Sequence, residues 1–198
     1  MKVSKDHSSA FAWAGILGAA VFIIMLAYLG SANNGWQFGS SVLCKTDFSG
    51  TNTDLLFKCG CMLTGILLVI FGIGRAIYAK NVGHAAGGVF LVISGITLAF
   101  VGIFTLKDMN DWHYFVSVSA ALFMLLAVIA IAAGNWVANR KVFAGIGVVF
   151  VFMAVAMFFA YDLANLESYG FILAIIWVVM ESVNMIASSG KAKIISGS

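Results

Sequence analysis

The chain of 198 residues contains no proline. That absence removes the residue that kinks helices and the one that stiffens extended linkers, so long uninterrupted helices are open to this sequence and a proline-rich tether is not. Charge is scarce as well: 10% of residues are charged, against ~25% in a typical soluble domain. With 62% hydrophobic residues, too little polar surface is left to cover a water-facing exterior, and lipid is the expected solvent. The chain has three histidines. His7 and His84 are expected on the opposite side of a membrane from His113, which excludes a multi-histidine metal site. No Walker loop, dinucleotide glycine fingerprint, His-Glu-x-x-His motif, nucleophile elbow or Cys-x-x-Cys pair occurs. No cofactor and no metal are therefore expected, and an enzyme is the less favoured class. No span carries a lysine deep enough for a retinal Schiff base.

What is present is a series of long apolar runs. A spanning helix needs ~20 mostly apolar residues, since each adds ~1.5 Å across a hydrocarbon layer of ~30 Å. Six runs qualify, at about Ala10–Gly30, Leu55–Ala79, Ala85–Leu106, His113–Ala133, Val142–Tyr161 and Gly170–Ser189. They are continuous rather than alternating, which excludes a transmembrane barrel and gives an all-α, polytopic six-helix bundle. The connections are short, so residues 1–198 form a single transmembrane domain whose neighbouring helices pack antiparallel. The first span resembles a signal peptide, with lysines before it and Gly30, Ser31 and Ala32 after it. Its apolar run exceeds the ~7–15 residues of a signal core, so it is expected to stay in place.

Basic residues orient the bundle. Lys2, Lys5, Arg75, Lys80, Arg140, Lys141, Lys191 and Lys193 fall on one side, and only Lys45, Lys58 and Lys107 on the other. The positive-inside bias predicts cytoplasmic termini and a multi-pass protein of the cell membrane. Asp47, Asp54, Asp108, Asp111, Asp162 and Glu167 all collect in the outward loops. The net charge of +3 is thus a topology signal spread over four segments, and no nucleic-acid partner is expected.

Glu181 is the one acid inside an expected span, about a dozen residues into the sixth and so near mid-membrane, where a charge is costly. Gly170, Ala174, Trp177, Glu181, Asn184 and Ser188 share its stripe, which should face the bundle interior. Two roles fit: a proton or cation site with Asn184, or a structural anchor that is protonated or paired with Arg75. The second candidate is the outer layer, where Asp47, Asp54, Asp108, Asp111 and His113 can face a polar headgroup. Against it stands the reading of Trp112, His113 and Tyr114 as an interfacial aromatic belt.

Cys44, Cys59 and Cys61 are expected at the outer end, where disulfides persist. Cys59 and Cys61 point ~200° apart on a helix, so only one faces Cys44 easily. A Cys44–Cys59 bridge closes a loop of about 15 residues, worth ~3 kcal/mol in the chain-entropy model. Three reduced thiols are the alternative. Glycine is abundant, with 21 copies, and its plain role is close helix packing. Gly83-x-x-x-Gly87 matches a small-residue packing motif, but in so glycine-rich a chain such matches arise by chance. Gly88–Phe115 and Gly147–Phe171 echo one another as span, acidic loop and tyrosine, a pattern compatible with duplication of a helix pair.

The stretch Ser-Ser-Val-Leu-Cys from Ser40 to Cys44, then Leu-Phe-Lys-Cys-Gly from Leu56 to Gly60, Gly65-Ile-Leu, and Val-Gly-Ile-Phe from Val101 to Phe104 ahead of His113 together resemble a six-span prokaryotic membrane family. It is the domain of unknown function nine-nine-eight family, common in archaea, and the likeness runs from the first span to the sixth. Members typically carry a Ser-x-x-Leu-Gly-like element in the first outer loop and Gly-x-Phe-Pro before a histidine. Here Thr105 stands at the proline position and the first element is altered around Cys44. The topology is also similar to that of the Frag, DRAM and Sfk group, which is linked to lipid handling. The resemblance implies a fold but no settled activity. The leading expectation is a non-enzymatic protein whose outer layer binds membrane lipids or other membrane subunits. A small transporter or ion pathway through Glu181 and Asn184 is the second, and an interfacial lipid hydrolase or transferase using His113 and an aspartate the third.

Overall fold

The computed structural model describes residues 6–32, 37–40, 42–43, 51–104 and 109–195. They form six helices: α1 (Asp6–Ala32), α2 (Thr51–Ile77), α3 (Val82–Ile103), α4 (Asn110–Val137), α5 (Lys141–Ala160) and α6 (Leu163–Ile195). There is no strand among the described residues. All six helices are long and apolar enough to cross a membrane, and large hydrophobic side chains such as Ile24, Phe152 and Phe159 stand exposed on the outside. That is the surface of a bundle solvated by lipid, where helices satisfy their own backbone groups.

The chain order is also the packing order. Each helix packs on the next, and α6 closes the ring by packing on α1, while α5 touches α6 only lightly. In lipid, close van der Waals contact between helices must supply what the hydrophobic effect supplies in water. Glycine provides it at the α2–α3 seam. A Cβ at Gly65 would lie 2.5 Å from the Gly95 carbonyl, one at Gly72 2.8 Å from that of Gly88, and one at Gly102 2.5 Å from that of Lys58. These glycines recur about two turns apart on each antiparallel helix, so the two backbones touch along most of their length. The other face of α3 uses the Gly83-x-x-x-Gly87 pair. Gly83 abuts Ala130 and Gly134 of α4, and Gly87 abuts Ile131. The match that glycine abundance alone would explain is therefore a real contact.

Two apolar clusters fill the ring. One, at the end carrying the α2–α3 and α4–α5 turns, gathers Phe71, Leu91, Ile131 and Trp177. The other, towards the opposite end, gathers Phe22, Met25, Leu43, Phe57 and Cys61. Following the charge distribution, the first end is termed the basic side and the second the acidic side.

The turns on the basic side have identifiable chemistry. Asn81 caps α3 by accepting from His84 N–H at 3.0 Å, and its amide donates to the Gly134 carbonyl at 2.7 Å, tying the start of α3 to the end of α4. The end of α4 forms a Schellman motif: Asn139 takes the left-handed conformation, with φ 58°. Arg140 N–H donates to Asn135 O at 2.8 Å, and Asn139 N–H to Trp136 O at 3.0 Å. On the acidic side α6 begins at Leu163 rather than near Gly170. Asp162 explains the difference, because its carboxylate accepts from Asn165 N–H at 2.9 Å and so starts the helix directly after α5. The expected outward loop shrinks to Tyr161 and Asp162, and Glu167 belongs to the helix.

Candidate functional site

Glu181 is buried at 1% exposure, and three donors converge on its carboxylate. Arg75 Nη2 reaches Oε2 at 3.0 Å, Asn135 Nδ2 reaches Oε1 at 3.0 Å, and Asn184 Nδ2 reaches Oε2 at 3.1 Å. The network extends from there in two directions. His84 lies 3.1 Å from Asn135 Oδ1 through Nε2, and since that oxygen can only accept, the proton sits on Nε2. Arg140 Nη1 donates to Asn184 Oδ1 at 2.7 Å. Residues from α2, α3, α4 and α6 and the cap of α5 are thus joined through one acid.

The helices place these groups by where they end. Arg75 is in the last turn of α2, His84 in the first turn of α3, Asn135 near the end of α4, and Arg140 caps α5. Glu181 therefore lies level with the helix ends on the basic side, not at mid-height of the bundle. The early start of α6 is the cause: counted from Leu163, Glu181 is ~27 Å down the helix axis at ~1.5 Å per residue.

Glu181 pairs with Arg75, and the amides of Asn135 and Asn184 complete three donors to its carboxylate. Two guanidinium groups belong to a cluster with one carboxylate, so one positive charge has no counter-charge within the network. Arg140 is only half-buried and its side chain bonds Asn184 alone among the described residues, which leaves guanidinium donors available to something outside. Inside, Arg75 Nε and His84 Nδ1 are buried with no hydrogen-bond partner among the described residues. Asn184 was legible in the sequence beside Glu181. His84, Asn135 and Arg140 were not, because each lies at a helix end and reads as a loop or interface residue.

The acidic side does not assemble in the same way. Asp54 pairs with Lys58 one turn along α2, at 2.7 Å and partly exposed. Asp111 is exposed, whereas His113, two residues on, is buried at 1%. His113 Nδ1–H donates to the Phe104 carbonyl, bracing the start of α4 against the end of α3. Its Nε2 is buried without a partner among the described residues. Trp112 is exposed and its ring neighbours those of Phe104 and Phe115, an arrangement suited to an interfacial belt. Asp47 and Asp108 lie outside the described residues. Asp54, Asp111 and His113 are thus each engaged or exposed separately. Glu167 instead holds the first outer loop, accepting from Leu43 N–H at 2.7 Å, and Ser168 Oγ accepts from Gly39 N–H at 3.0 Å.

Cys59 is an exposed free thiol and Cys61 a buried one. Cys44, the expected partner of Cys59, lies outside the described residues. Among the described residues, no three His, Cys, Asp or Glu side chains converge as metal ligands.

A family model described as "Protein of unknown function (DUF998)" matches residues 12–184. The chain belongs to this family. The matched region takes in α2 to α5, most of α1, α6 as far as Asn184, and every member of the Glu181 network. No curated protein and no solved structure matches the chain. It is an integral, multi-pass membrane protein of the DUF998 family, and its exposed helix faces meet membrane lipids.

Proposed function

We propose that this DUF998 member is a non-enzymatic lipid-binding protein, and that it holds its ligand at the basic side rather than through Asp47, Asp54, Asp111 and His113. The observation that carries the reading is the charge inequality at Glu181. Two guanidinium groups, Arg75 and Arg140, share a network with a single carboxylate, and Arg140 remains reachable from outside. An excess cation at the interface of an apolar bundle favours an anionic headgroup, since an ion pair there is poorly screened and partly desolvated. The side in question is the one that the lysine and arginine bias reads as cytoplasmic.

Native mass spectrometry of protein extracted gently from its membrane tests this. Co-purified anionic lipid is expected, diminished in Arg140→Gln and retained in an Asp111→Asn, His113→Gln double variant. The reverse pattern would return the ligand to the acidic side.

A proton or ion pathway through Glu181 and Asn184 is the second reading, favoured by the burial of an acid within a polar stripe. Three donors from α2, α4 and α6 argue against it, because they hold the carboxylate in one place between the helices. A pH gradient imposed on liposomes decides it. Flux lost in Glu181→Gln would support the pathway, and absence of flux in the unaltered protein would remove it.

A further inference from the structure

A groove between α4 and α5 is open to the lipid side and encloses about 460 Å³, within the ~300–1,000 Å³ of small-molecule sites. Ile129, Ala132, Ala133 and Trp136 of α4 and Val148 and Phe152 of α5 line it, and the lining is apolar throughout. The groove exists because small residues face one another there. Gly147 of α5 meets Ala132 so closely that a Cβ would sit 2.7 Å from the alanine Cβ. Around that contact the two helices leave a channel that no side chain fills.

One end of the groove differs from its length. Trp136, at 64% exposure, lines it within a turn of the α4–α5 connection, where Arg140 and Lys141 follow in sequence. Lys141 is exposed and has no ion pair among the described residues. Arg140 is half-buried, with Asn184 as the one described partner of its guanidinium. The first turn of α5 has no side-chain cap, so its amide groups and the positive end of the helix dipole add to the two cations. An apolar trough leading to a cationic, hydrogen-bond-donating mouth complements a molecule with a long hydrocarbon part and an anionic head.

We propose that the α4–α5 groove seats one acyl chain of an anionic glycerophospholipid, with its phosphate held at the α4–α5 turn by Lys141, Arg140 and the uncapped amides of α5. The inference deepens the lipid-binding reading and rests on it: it names the lipid class, the groove and the orientation. A second groove provides the internal comparison. It lies between α2 and α3, is lined by residues such as Ile66, Ile70, Ile96 and Phe100, and encloses about 270 Å³. No basic residue lines it, so it has the apolar half of the design without the cationic half.

The test reconstitutes the full chain in nanodiscs of phosphatidylcholine doped with phosphatidylglycerol and counts lipids retained on release into native mass spectrometry. One phosphatidylglycerol per chain is expected for the unaltered protein. Ala133→Phe should abolish that retention, because Ala133 is exposed and the phenyl ring would fill the groove without entering the core. Lys141→Gln should weaken it about five-fold, the usual contribution of one basic residue at an anionic membrane surface. Ile70→Phe, in the second groove, should leave it unchanged. Thermal unfolding of each variant in detergent establishes that it is folded.

Equal loss in Ala133→Phe and Ile70→Phe, or equal retention of phosphatidylcholine, would mean ordinary boundary lipid and overturn the proposal. A thermal shift with inorganic phosphate that persists in Ala133→Phe would make the turn a free-phosphate site and overturn the acyl seat. Specific phosphatidylglycerol retention insensitive to Ala133→Phe would overturn this groove while leaving the lipid-binding reading standing. No retained lipid at all would overturn both.

Discussion

At the basic end, one carboxylate draws donors from α2, α4 and α6 and, through Asn135 and Asn184, reaches His84 on α3 and the cap of α5. At the acidic end acids are more numerous, yet each described one has its own local business. Asp54 pairs within its helix, Asp162 caps α6, Glu167 holds the first outer loop and Asp111 faces outward. The difference shows that the number of charges at one end of a bundle says little about whether they form a site. Burial decides. A charge in water needs no partner, whereas a carboxylate removed from water needs several, and those partners must come from neighbouring helices.

Variants at the two ends put this contrast at risk, beginning with the largest effect. Arg75→Leu leaves Glu181 buried beside two amides and no cation, and should cost about 3–5 kcal/mol in unfolding free energy. Denaturant unfolding in mixed micelles measures it. A cost below that of an ordinary surface change would mean that Glu181 is already neutral. The double variant Arg75→Leu, Glu181→Leu should recover most of the loss, because removing both charges removes the unpaired one.

Gly88→Val tests whether the seam supports the network. Its side chain would press on the α2 backbone at Gly72 and Ala76, where a Cβ would lie 2.8 Å from the Gly72 carbonyl and 2.5 Å from Ala76 N. Overpacking of about 1–3 kcal/mol is expected, with weaker crosslinking between cysteines introduced at the facing ends of α2 and α3. Unchanged crosslinking would show that the helices can separate without harm.

Asn135→Ala removes one amide bond to a charged acceptor and leaves His84 Nε2 unpaired, for about 1.5–3 kcal/mol. The smallest effect is expected at the other end. Asp54→Asn should cost no more than ~0.5 kcal/mol, since its ion pair is partly exposed and lies within one helix. If Asp54→Asn proved as costly as Asn135→Ala, the contrast between the ends would fail.

The six spans are legible in the sequence because hydrophobic run length is a property of contiguous residues, and lipid imposes it on each helix separately. Glu181 was conspicuous for the same reason, as a lone acid in an apolar run. Its height differs from the mid-membrane expectation because α6 starts early, at a cap formed by Asp162. Asn135 ends the Ala-Gly run of α4 and looks like any residue at an interface. Nothing local to it signals that Glu181, 46 positions away, is its partner. The pairing of glycines across α2 and α3 was similarly hidden in their abundance, since only antiparallel register distinguishes Gly65 and Gly95 from the rest.

Residence in lipid, six apolar spans and a basic bias towards one end are all written in contiguous residues of the chain. Each of those follows from transfer energies that act on a segment regardless of its neighbours. Tertiary structure alone decided that Arg75, His84, Asn135, Arg140 and Asn184 meet around Glu181, while Asp54, Asp111 and His113 do not meet. Hydrogen bonds reach only about 3 Å, so which polar groups share a site is set by where helices end and how closely glycine lets them approach.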